Sequence, residues 1–460
     1  MKLKYSWEGL GMRSDWKECE LWEVIELVTA KVNSNRVNLQ NYVSTENMLI
    51  DRGGIKEASG LPNQTKYLGF KKGDVLFSNI RTYFKKVWEA SFEGGASNDV
   101  IVFRTKDNNV LDQSFVYSLI SDEKFIGYTV VTAKGTKMPR GDKDAIRKYK
   151  VKFPSDIEKQ KEIAFIHKNI NDKITNNNHI NKNLEEIAQA LFKSWFVDFE
   201  PVKAKIQAKA EGKDIQIAAM CAISGKTGEE LNKLSQEKRN ELARTADLFP
   251  DDLVESELGL IPEGWDLVPL YNTAEYVNGG AFKATDFSEL KEGLPIIKIA
   301  ELKSGIAAQT KYTEKGVPEK YRINSNDMLY SWSGSPETSL DVFKWFGGEG
   351  WLNQHIFKIN TETKEQKVFV YFLLKYLKPE LIATAKNKQT TGLGHVTVAD
   401  MKRIKVVVPN EVSKWLIKSN LISLFENASN CMKQNSVLSE QRDKLLPKLL
   451  SGDLIINDIK

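Results

Sequence analysis

Basic and aromatic side chains gather in four polar loops of this 460-residue chain, where their chemistry suits an anionic polymer. Lys and Arg neutralise phosphate groups, whereas Arg, Gln, Thr and His offer donors and acceptors to the edges of nucleic-acid bases. The first loop, 79–86, follows a strand-like run ending at Ser78, and the second, 134–143, precedes another such run. The other two, 332–338 and 386–395, stand in comparable surroundings further along. These loops are therefore candidate nucleic-acid contacts.

Two roles are predicted for the side chains of these loops. The predicted phosphate contacts are Lys85, Lys86, Lys137, Lys143, Lys386 and Lys388. The residues predicted to read or shape bases are Arg81, Tyr83, Arg140, Trp332, Gln389, Thr390 and His395. Because the loops differ in sequence between the two halves of the chain, two domains of one fold would read two different sequences. The alternative is that they are ordinary solvated loops.

No catalytic or metal-binding motif accompanies these loops. Ser224-Gly225-Lys226-Thr227 looks like the end of a phosphate-binding loop, but Met220 stands where that loop needs a glycine. The glycines of 391–395 lack the third glycine of a dinucleotide fingerprint. The sequence has neither H-E-x-x-H nor G-x-S-x-G, nor the Asn-Pro-Pro-Tyr or Asp-Pro-Pro-Tyr stretch of an amino-methyltransferase. The four histidines have no ligand-like neighbours, so we expect neither catalysis nor a metal in this chain.

An internal repeat accounts for the recurrence of similar loops. The ending Val151-Lys152-Phe153-Pro154 returns near the C-terminus as Val406-Val407-Val408-Pro409. Further segments correspond in the same order: 264–266 to 15–17, 326–331 to 73–78, 351–355 to 96–99, and 369–371 to 115–117. A repeat of this length is one whole domain with its trailing helix, present twice.

A heptad pattern follows each copy of the repeat and predicts a long helix with one apolar stripe. In the first helix the stripe comprises Ile163, Ile166, Ile170, Asn177, Ile180, Leu184, Ile187 and Leu191. In the second it comprises Leu421, Leu424, Ala428, Asn435, Leu438, Leu445 and Leu449. A helix of about 40 residues is about 60 Å long, more than a compact domain needs. Each helix is therefore predicted to pair with the other, the alternative being that each lies on its own domain.

Composition places the chain among ordinary globular proteins. At 41% apolar residues it can form real cores, and its length suits about three domains. The net charge of +5 is too small to indicate a polyanion partner by itself. Cys19, Cys221 and Cys431 are too far apart for a disulfide framework or a zinc motif. No signal peptide or membrane span is evident, so a cytoplasmic location is expected.

Domain boundaries follow from the repeat, the heptads and the Pro and Gly residues that end them. The pattern predicts an α+β protein whose two similar domains mix strands and short helices. The predicted segments are a first domain at 1–153, a first long helix at 154–199, a partly helical connector at 200–262, a second domain at 263–409, a second long helix at 410–450 and a C-terminal tail at 451–460.

Three stretches resemble the specificity subunit of type I restriction-modification systems. They are Leu191-Phe192-Lys193-Ser194-Trp195-Phe196-Val197-Asp198-Phe199-Glu200-Pro201-Val202, Glu257-Leu258-Gly259-Leu260-Ile261-Pro262-Glu263-Gly264-Trp265, and Leu445-Leu446-Pro447-Lys448-Leu449-Leu450-Ser451-Gly452-Asp453-Leu454. The resemblance extends over essentially the whole chain. It implies two target recognition domains separated by the long helices, which would pack as an antiparallel coiled coil. Each domain would bind one half of a bipartite, asymmetric double-stranded DNA site.

The resemblance also implies partner subunits. In the family, two methyltransferase (M) subunits dock on the specificity subunit and bring S-adenosylmethionine for DNA methylation. Two restriction (R) subunits add ATP- and Mg-dependent translocation and cleavage, so this chain itself should need no cofactor. The segments before Trp16 and after Leu450 would lie near one another. A different interpretation of the same helices is a non-catalytic coiled-coil scaffold with two protein-binding domains.

Overall fold

The chain forms two compact units, each built from two stretches of sequence. The structure is a computed structural model that describes residues 15–307, 309–388, 393–410 and 420–454. The first unit takes in the chain up to Asn177 and again from Gln434 onward, and the second takes in Asn178–Lys433. Each long helix therefore contributes one segment to each unit.

Within its described residues, the first unit contains a domain of ten strands and four short α-helices. Its strands are β1 (Trp16–Glu20), β2 (Ile25–Leu27), β3 (Lys31–Asn33), β4 (Tyr42–Val43), β5 (Lys66–Phe70), β6 (Val75–Ser78), β7 (Val87–Glu89), β8 (Gly94–Ala96), β9 (Val100–Thr105) and β10 (Lys150–Pro154). Its helices are α1 (Leu21–Val24), α2 (Gln113–Ser121), α3 (Glu123–Val131) and α4 (Lys143–Arg147), and they are followed by the long α5 (Ile157–Phe196).

The second unit contains the connector and the second domain. The connector forms α6 (Glu200–Ala210), α7 (Ile215–Ser224), α8 (Gly228–Asn232), α9 (Gln236–Ala246) and the hairpin of β11 (Leu253–Ser256) and β12 (Gly259–Pro262). The later strands are β13 (Trp265–Pro269), β14 (Glu275–Asn278), β15 (Leu294–Ile297), β16 (Tyr312–Thr313), β17 (Arg322–Ile323), β18 (Met328–Ser331), β19 (Ser333–Gly334), β20 (Asp341–Lys344), β21 (Gly350–Leu352), β22 (Ile356–Asn360), β23 (Gly394–His395) and β24 (Lys405–Pro409). The later helices are α10 (Ile299–Ser304), α11 (Pro336–Ser339), α12 (Lys364–Lys386) and α13 (Val398–Arg403), with α14 (Asn420–Ser451) after them.

Both domains contain a four-stranded antiparallel sheet with the same strand order. It is β2-β9-β6-β7 in the first domain and β14-β22-β18-β20 in the second. A second sheet shares three strands: β4 pairs parallel with β8, which pairs antiparallel with β5, and β15, β21 and β17 repeat this pattern. The fourth strand differs, since β3 lies beside β5 whereas β16 lies beside β15. The α+β fold and the duplication predicted from the sequence are confirmed.

A tryptophan starts each domain at the same place in the strand pairing. Trp16 lies opposite Pro154, and Trp265 lies opposite Pro409. Each ring packs near the C-terminal end of the helix that trails the other repeat. The Trp265 ring centroid is 5.8 Å from that of Phe196 at the end of α5, and Trp16 lies so close to Gly452 that a Cβ there would stand 2.8 Å from the indole.

The long helices pair antiparallel in the first unit. Asn171 of α5 accepts a hydrogen bond from Arg442 of α14 at 3.1 Å, and Asn177 donates to Asn435 at 2.9 Å. A later residue of α5 thus meets an earlier residue of α14, as the coiled-coil prediction requires. Most of the predicted stripe of α14 is buried or half-buried, including Ala428 at 1% and Leu449 at 2% exposed.

The predicted stripe of α5 is wrong at two positions. Ile180 and Ile187 expose 39% and 52% of their surface. The predicted Ile163 and Asn177 are buried, and the other buried residues of this helix are Gln160, Ala164, His167, Asn171, Ala188, Phe192, Trp195 and Phe196. Steps of three and four residues fit neighbouring stripes of a helix about equally well. A count of apolar residues missed Gln160, His167 and Asn171, which are buried with hydrogen-bond partners.

Residues 113–131 form two consecutive helices, α2 and α3, with a break between them. Asp122 adopts an extended conformation, with φ −64° and ψ 139°, and separates α2 from α3. Arg52 donates to the carbonyl of Ser121 at the end of α2, at 2.6 Å from Nη2. This contact occupies a terminal carbonyl that has no partner within its own helix.

Candidate nucleic-acid interface

Loops 79–86 and 134–143 lie side by side in the first domain. The backbone N–H of Arg81 donates to the carbonyl of Pro139 at 2.8 Å, and that of Gly141 donates to Asn79 at 3.1 Å. Arg140 and Lys134 exchange backbone hydrogen bonds of 2.8 and 2.9 Å, which makes the second loop a closed turn. We call these two loops, together with Asp99, the first loop surface.

Asp99 joins this surface from the turn between β8 and β9. Its carbonyl accepts from the N–H of Asn79 at 2.8 Å, and its carboxylate lies 3.1 Å from Nη2 of Arg140. Both side chains are more than one-third exposed, so the ion pair contributes little to stability. Its effect is to orient the guanidinium while leaving it accessible.

Besides Arg140, four predicted side chains on this surface are open to a ligand. Arg81, Lys137 and Lys143 are exposed and form no ion pair within the described part of the chain. Tyr83 exposes 48% of its surface beside Phe84, with the ring centroids 4.8 Å apart. A cationic and aromatic surface of this kind can contact phosphates and bases.

Both predicted phosphate contacts of loop 79–86 have partners in the protein. Nζ of Lys85 lies 2.7 Å from Glu123, and Nζ of Lys86 donates to the carbonyl of Thr45 at 2.6 Å. Burial lowers the pKa of Lys86, and the neighbouring charge of Lys56 adds to that effect. These two lysines hold the loop against the domain.

The equivalent loops of the second domain also come together. β19 and β23 pair so that Ser333 lies opposite His395, and the N–H of Val396 donates to the carbonyl of Trp332 at 2.9 Å. The Trp332 ring centroid lies 5.7 Å from that of His355, and its indole N–H donates to Asn278 at 3.1 Å. We call these paired loops, together with His355, the second loop surface.

The predicted lysines of the second domain are paired. Lys386 lies 2.5 Å from Glu337, an exposed pair, whereas Lys388 donates to both carboxylate oxygens of Asp400 at 2.7 and 2.6 Å. Although desolvation opposes ionisation of Asp400, its bonds with Lys388 and Thr397 hold its pKa at about 2. Lys388 therefore anchors its loop in this structure. Gln389 and Thr390 lie outside the described residues.

Asp99, Asn278 and His355 were not among the residues proposed from the sequence. The signal for two of them was present, since 96–99 and 351–355 correspond in the repeat and each joins its own loop surface. Asn278 had no such signal because only the fold brings the end of β14 next to Trp332.

Ser224-Gly225-Lys226-Thr227 has the wrong geometry for a phosphate-binding loop. Ser224 ends α7, Gly225 follows in the left-handed conformation with φ 64°, and the Thr227 hydroxyl caps the next helix by accepting from the backbone N–H of Glu230. Among the described residues, no group of three or more His, Cys, Asp or Glu side chains is placed to hold a metal ion. Nor does the described part of the chain contain a helix that is long and apolar enough to cross a membrane.

The fold and its loops define a class of protein: a duplicated α+β chain that presents two unlike loop surfaces on one repeated framework. A family model described as the type I restriction modification DNA specificity domain matches residues 13–186 and 262–424, which is more than half of the chain. The chain belongs to this family of type I restriction-modification specificity subunits and carries the domain twice. Family membership implies DNA recognition and assembly with methyltransferase and restriction subunits.

Several relatives are similar over most of their length. The chain is 29% identical over 462 residues to the specificity subunit of type I restriction enzyme HindI of Haemophilus influenzae, covering 96% of this chain and 100% of that one. It is 23% identical over 353 residues to the MjaIX specificity subunit of Methanocaldococcus jannaschii, covering 75% and 70%. Among solved structures, the S subunit from M. genitalium is 15% identical, with 96% and 98% covered and a TM-score of 0.48.

Proposed function

We propose that this chain is the DNA sequence-recognition subunit of a type I restriction-modification complex. It binds a bipartite, asymmetric double-stranded site, one half through each target recognition domain. The observation that carries the proposal is the contrast between constant framework and variable loops. The two domains share a strand order, yet the first loop surface presents Arg81 and Arg140 where the second presents Trp332 and His395.

Recognition by the first domain divides into two kinds of contact. Lys137 and Lys143 neutralise phosphates and position the duplex, which is independent of sequence. Arg140 has its guanidinium oriented by Asp99 and its backbone fixed by the turn, so it enters a groove in a defined direction. A bidentate contact from such a group contributes about 1–3 kcal/mol of discrimination between bases.

Recognition by the second domain depends more on stacking and shape. Trp332, His355 and His395 provide rings and hydrogen-bonding groups, and both lysines of its loops are paired with carboxylates. A weaker direct phosphate contribution is therefore expected from this domain. Gln389 and Thr390 complete the proposed set of base contacts.

The long helices supply spacing and docking. We assign to α5 and α14 the separation of the two half-sites and the scaffold on which two M subunits and two R subunits assemble. The chain itself performs no catalysis and binds no cofactor. S-adenosylmethionine, ATP and Mg belong to its partners.

Duplex binding by the chain together with its methyltransferase subunits tests the proposal. Phosphate neutralisation makes the logarithm of the binding constant fall steeply with the logarithm of salt concentration. Sequencing of methylated adenines in a host that carries the complex should give one motif with two defined halves. A flat salt response and tight capture of a polypeptide ligand would favour the non-catalytic scaffold with two protein-binding domains.

A further inference from the structure

A buried arginine of the C-terminal helix is connected to loop 79–86 through a chain of ionic contacts within the first unit. Arg442 of α14 is 2% exposed, and its Nη2 lies 3.2 Å from Asp51. The Asp51 carboxylate lies 2.6 Å from Nη1 of Arg52, and Nη2 of Arg52 lies 2.7 Å from the Glu123 carboxylate. Glu123 also accepts from Lys85 at 2.7 Å, so the series ends on the loop itself. We call these residues the Arg442 network.

Positive and negative groups alternate along the network and stabilise one another. Desolvation opposes ionisation of Asp51, but Arg442 and Arg52 outweigh it and hold the pKa of this carboxyl below its usual value. In the same way, Arg52 and Lys85 overcome the desolvation of Glu123 and lower its pKa. Removing the partner of a buried charge strongly destabilises the folded state, so each charged group of the network depends on its neighbours.

The other side of Arg442 is fixed by hydrogen bonds whose directions follow from chemistry. A guanidinium can only donate, so Asn171 presents its Oδ1 to Arg442, at 3.1 Å. The Asn171 amide then donates to Nε2 of His167 at 2.8 Å, and Nδ1 of His167 donates to Ser118 at 3.1 Å. Burial, with Arg52 and Arg442 nearby, keeps the pKa of His167 well below its usual value, which agrees with a neutral ring. Arg442 is thereby locked to α5 as well as to the domain.

The backbone of the loop is held in an unfavourable conformation at the point where the network reaches it. Arg81 and Lys85 flank the turn at φ 50° and 53°, and Asp51 and Arg52 have φ 48° and 61°. The backbone N–H groups of Asp51 and Arg52 donate to the carbonyls of Phe84 and Lys85, at 2.9 and 2.8 Å, and so tie this segment to the turn. Left-handed geometry costs about 1–2 kcal/mol for each such residue. It persists only where surrounding contacts impose it.

We propose that Arg442, together with Arg52 and Glu123, positions loop 79–86 and thereby helps to determine the sequence read by the first domain. The inference rests on the proposed function and deepens it. A residue of the C-terminal helix becomes a specificity determinant for the N-terminal domain. Exchange of residues 1–153 alone between related chains would then separate the loop from one of its supports.

The second unit has a different contact in the corresponding place. There α14 presents Phe425, whose ring centroid lies 5.1 Å from that of Tyr371, and α5 presents Glu185, which accepts from the Tyr371 hydroxyl. These contacts lie on α12 and involve no loop of the second loop surface. The second half-site therefore serves as an internal control.

The test uses two variants at opposite ends of the network and one matched control. Arg442→Met removes the guanidinium of α14 that pairs with Asp51. Glu123→Gln removes the carboxylate that pairs with Lys85 and changes no residue of either long helix. Arg147→Met removes an exposed arginine of the same unit that pairs only with Asp144 in the described residues. Hydrogen exchange of the peptide covering 79–86 is measured in the isolated chain, and base preferences at both half-sites are measured in the methyltransferase complex.

Both network variants should raise exchange in 79–86 about tenfold and reduce base discrimination in the first half-site about tenfold, equal to about 1.4 kcal/mol. The second half-site and the Arg147→Met control should be unchanged, and Arg442→Lys should restore part of the loss. Equal loss at both half-sites, or an unchanged first half-site in either network variant, would overturn the inference. A wild-type complex without salt-dependent DNA binding would overturn the proposed function and the inference together.

Discussion

Lys344 is predicted to destabilise the second unit at neutral pH. It lies at the end of β20, is 4% exposed, and its Nζ has no hydrogen-bond partner among the described residues. The Nζ stands 4.2 Å from the ring centroid of Phe425 and 4.8 Å from that of Tyr371. Replacement by methionine keeps an unbranched side chain of similar length and permits sulfur–aromatic contacts.

The size of the effect follows from the pKa of this ammonium group. Burial lowers the pKa of Lys344 from 10.5 to about 8, while Glu185 attracts the charge and Lys375 and Lys367 repel it. A drop of that size corresponds to about 3 kcal/mol against the charged form. The two aromatic faces recover up to about 2 kcal/mol of it through cation–π attraction. Lys344→Met should therefore stabilise the second unit by about 1–3 kcal/mol near pH 7.

The stabilisation by Lys344→Met should depend on pH, and its direction follows from the lowered pKa of Lys344. Because the folded-state pKa of Lys344 lies below its unfolded value, both states are protonated below about pH 8 and the penalty is complete there. Between about pH 8 and the unfolded value the folded state loses its proton first, so wild-type stability rises with pH. The advantage of Lys344→Met should shrink through this window.

The assay is pulse proteolysis in urea on the intact chain, near pH 7 and near pH 9.5, with fragments assigned by mass spectrometry to the second domain. Lys320→Met is the matched control, because Lys320 stands 5.0 Å from the Tyr321 ring centroid but is exposed. It should change stability by no more than about 0.5 kcal/mol. A loss of stability in Lys344→Met near pH 7, or a gain that is the same at both pH values, would refute the desolvation argument.

Three further predictions concern the interface, the helices and the joint at the C-terminus. Arg140→Ala should cost about 1–3 kcal/mol of discrimination at one position of the first half-site, whereas Lys137→Ala should weaken all sequences alike and reduce the salt slope by about 1; an Arg140→Ala complex with unchanged affinity and site profile would disprove the base contact. Insertion of one heptad into both α5 and α14 lengthens each by about 10 Å, so the spacer between half-sites found by methylated-adenine sequencing should grow by about 3 base pairs with both halves retained; loss of both halves would mean that the helices serve folding or docking instead. Gly452→Ala should destabilise the first unit more than Gly54→Ala, since both have positive φ but a Cβ at Gly452 would stand 2.8 Å from the Trp16 ring and one at Gly54 meets nothing within 4 Å; equal unfolding midpoints for the two variants would contradict the close packing at Trp16.

The loop contacts show where a sequence pattern stops being informative. The four loops were identified from their composition and repeat positions, and the fold brings them together in pairs. Which cations remain open was decided by partners distant in the chain, as with Lys85 and Glu123. Lys388 is also tied, by a carboxylate that lies twelve residues further on in a separate helix. A local sequence pattern does not show which residues from distant parts of the chain will form such ion pairs.

The sequence alone determined the duplication, the fold class and the existence of two long helices, because strand endings and heptad steps are properties of local order along the chain. Only the tertiary structure decided which stripe of α5 faces inward, since neighbouring stripes have similar periodicity and the choice depends on the surface they meet. It also brought Asp51 and Arg442 within 3.2 Å of each other from opposite ends of the sequence. A charged group can be buried only where an oppositely charged or hydrogen-bonding partner lies next to it, and such partners come together only when the chain folds.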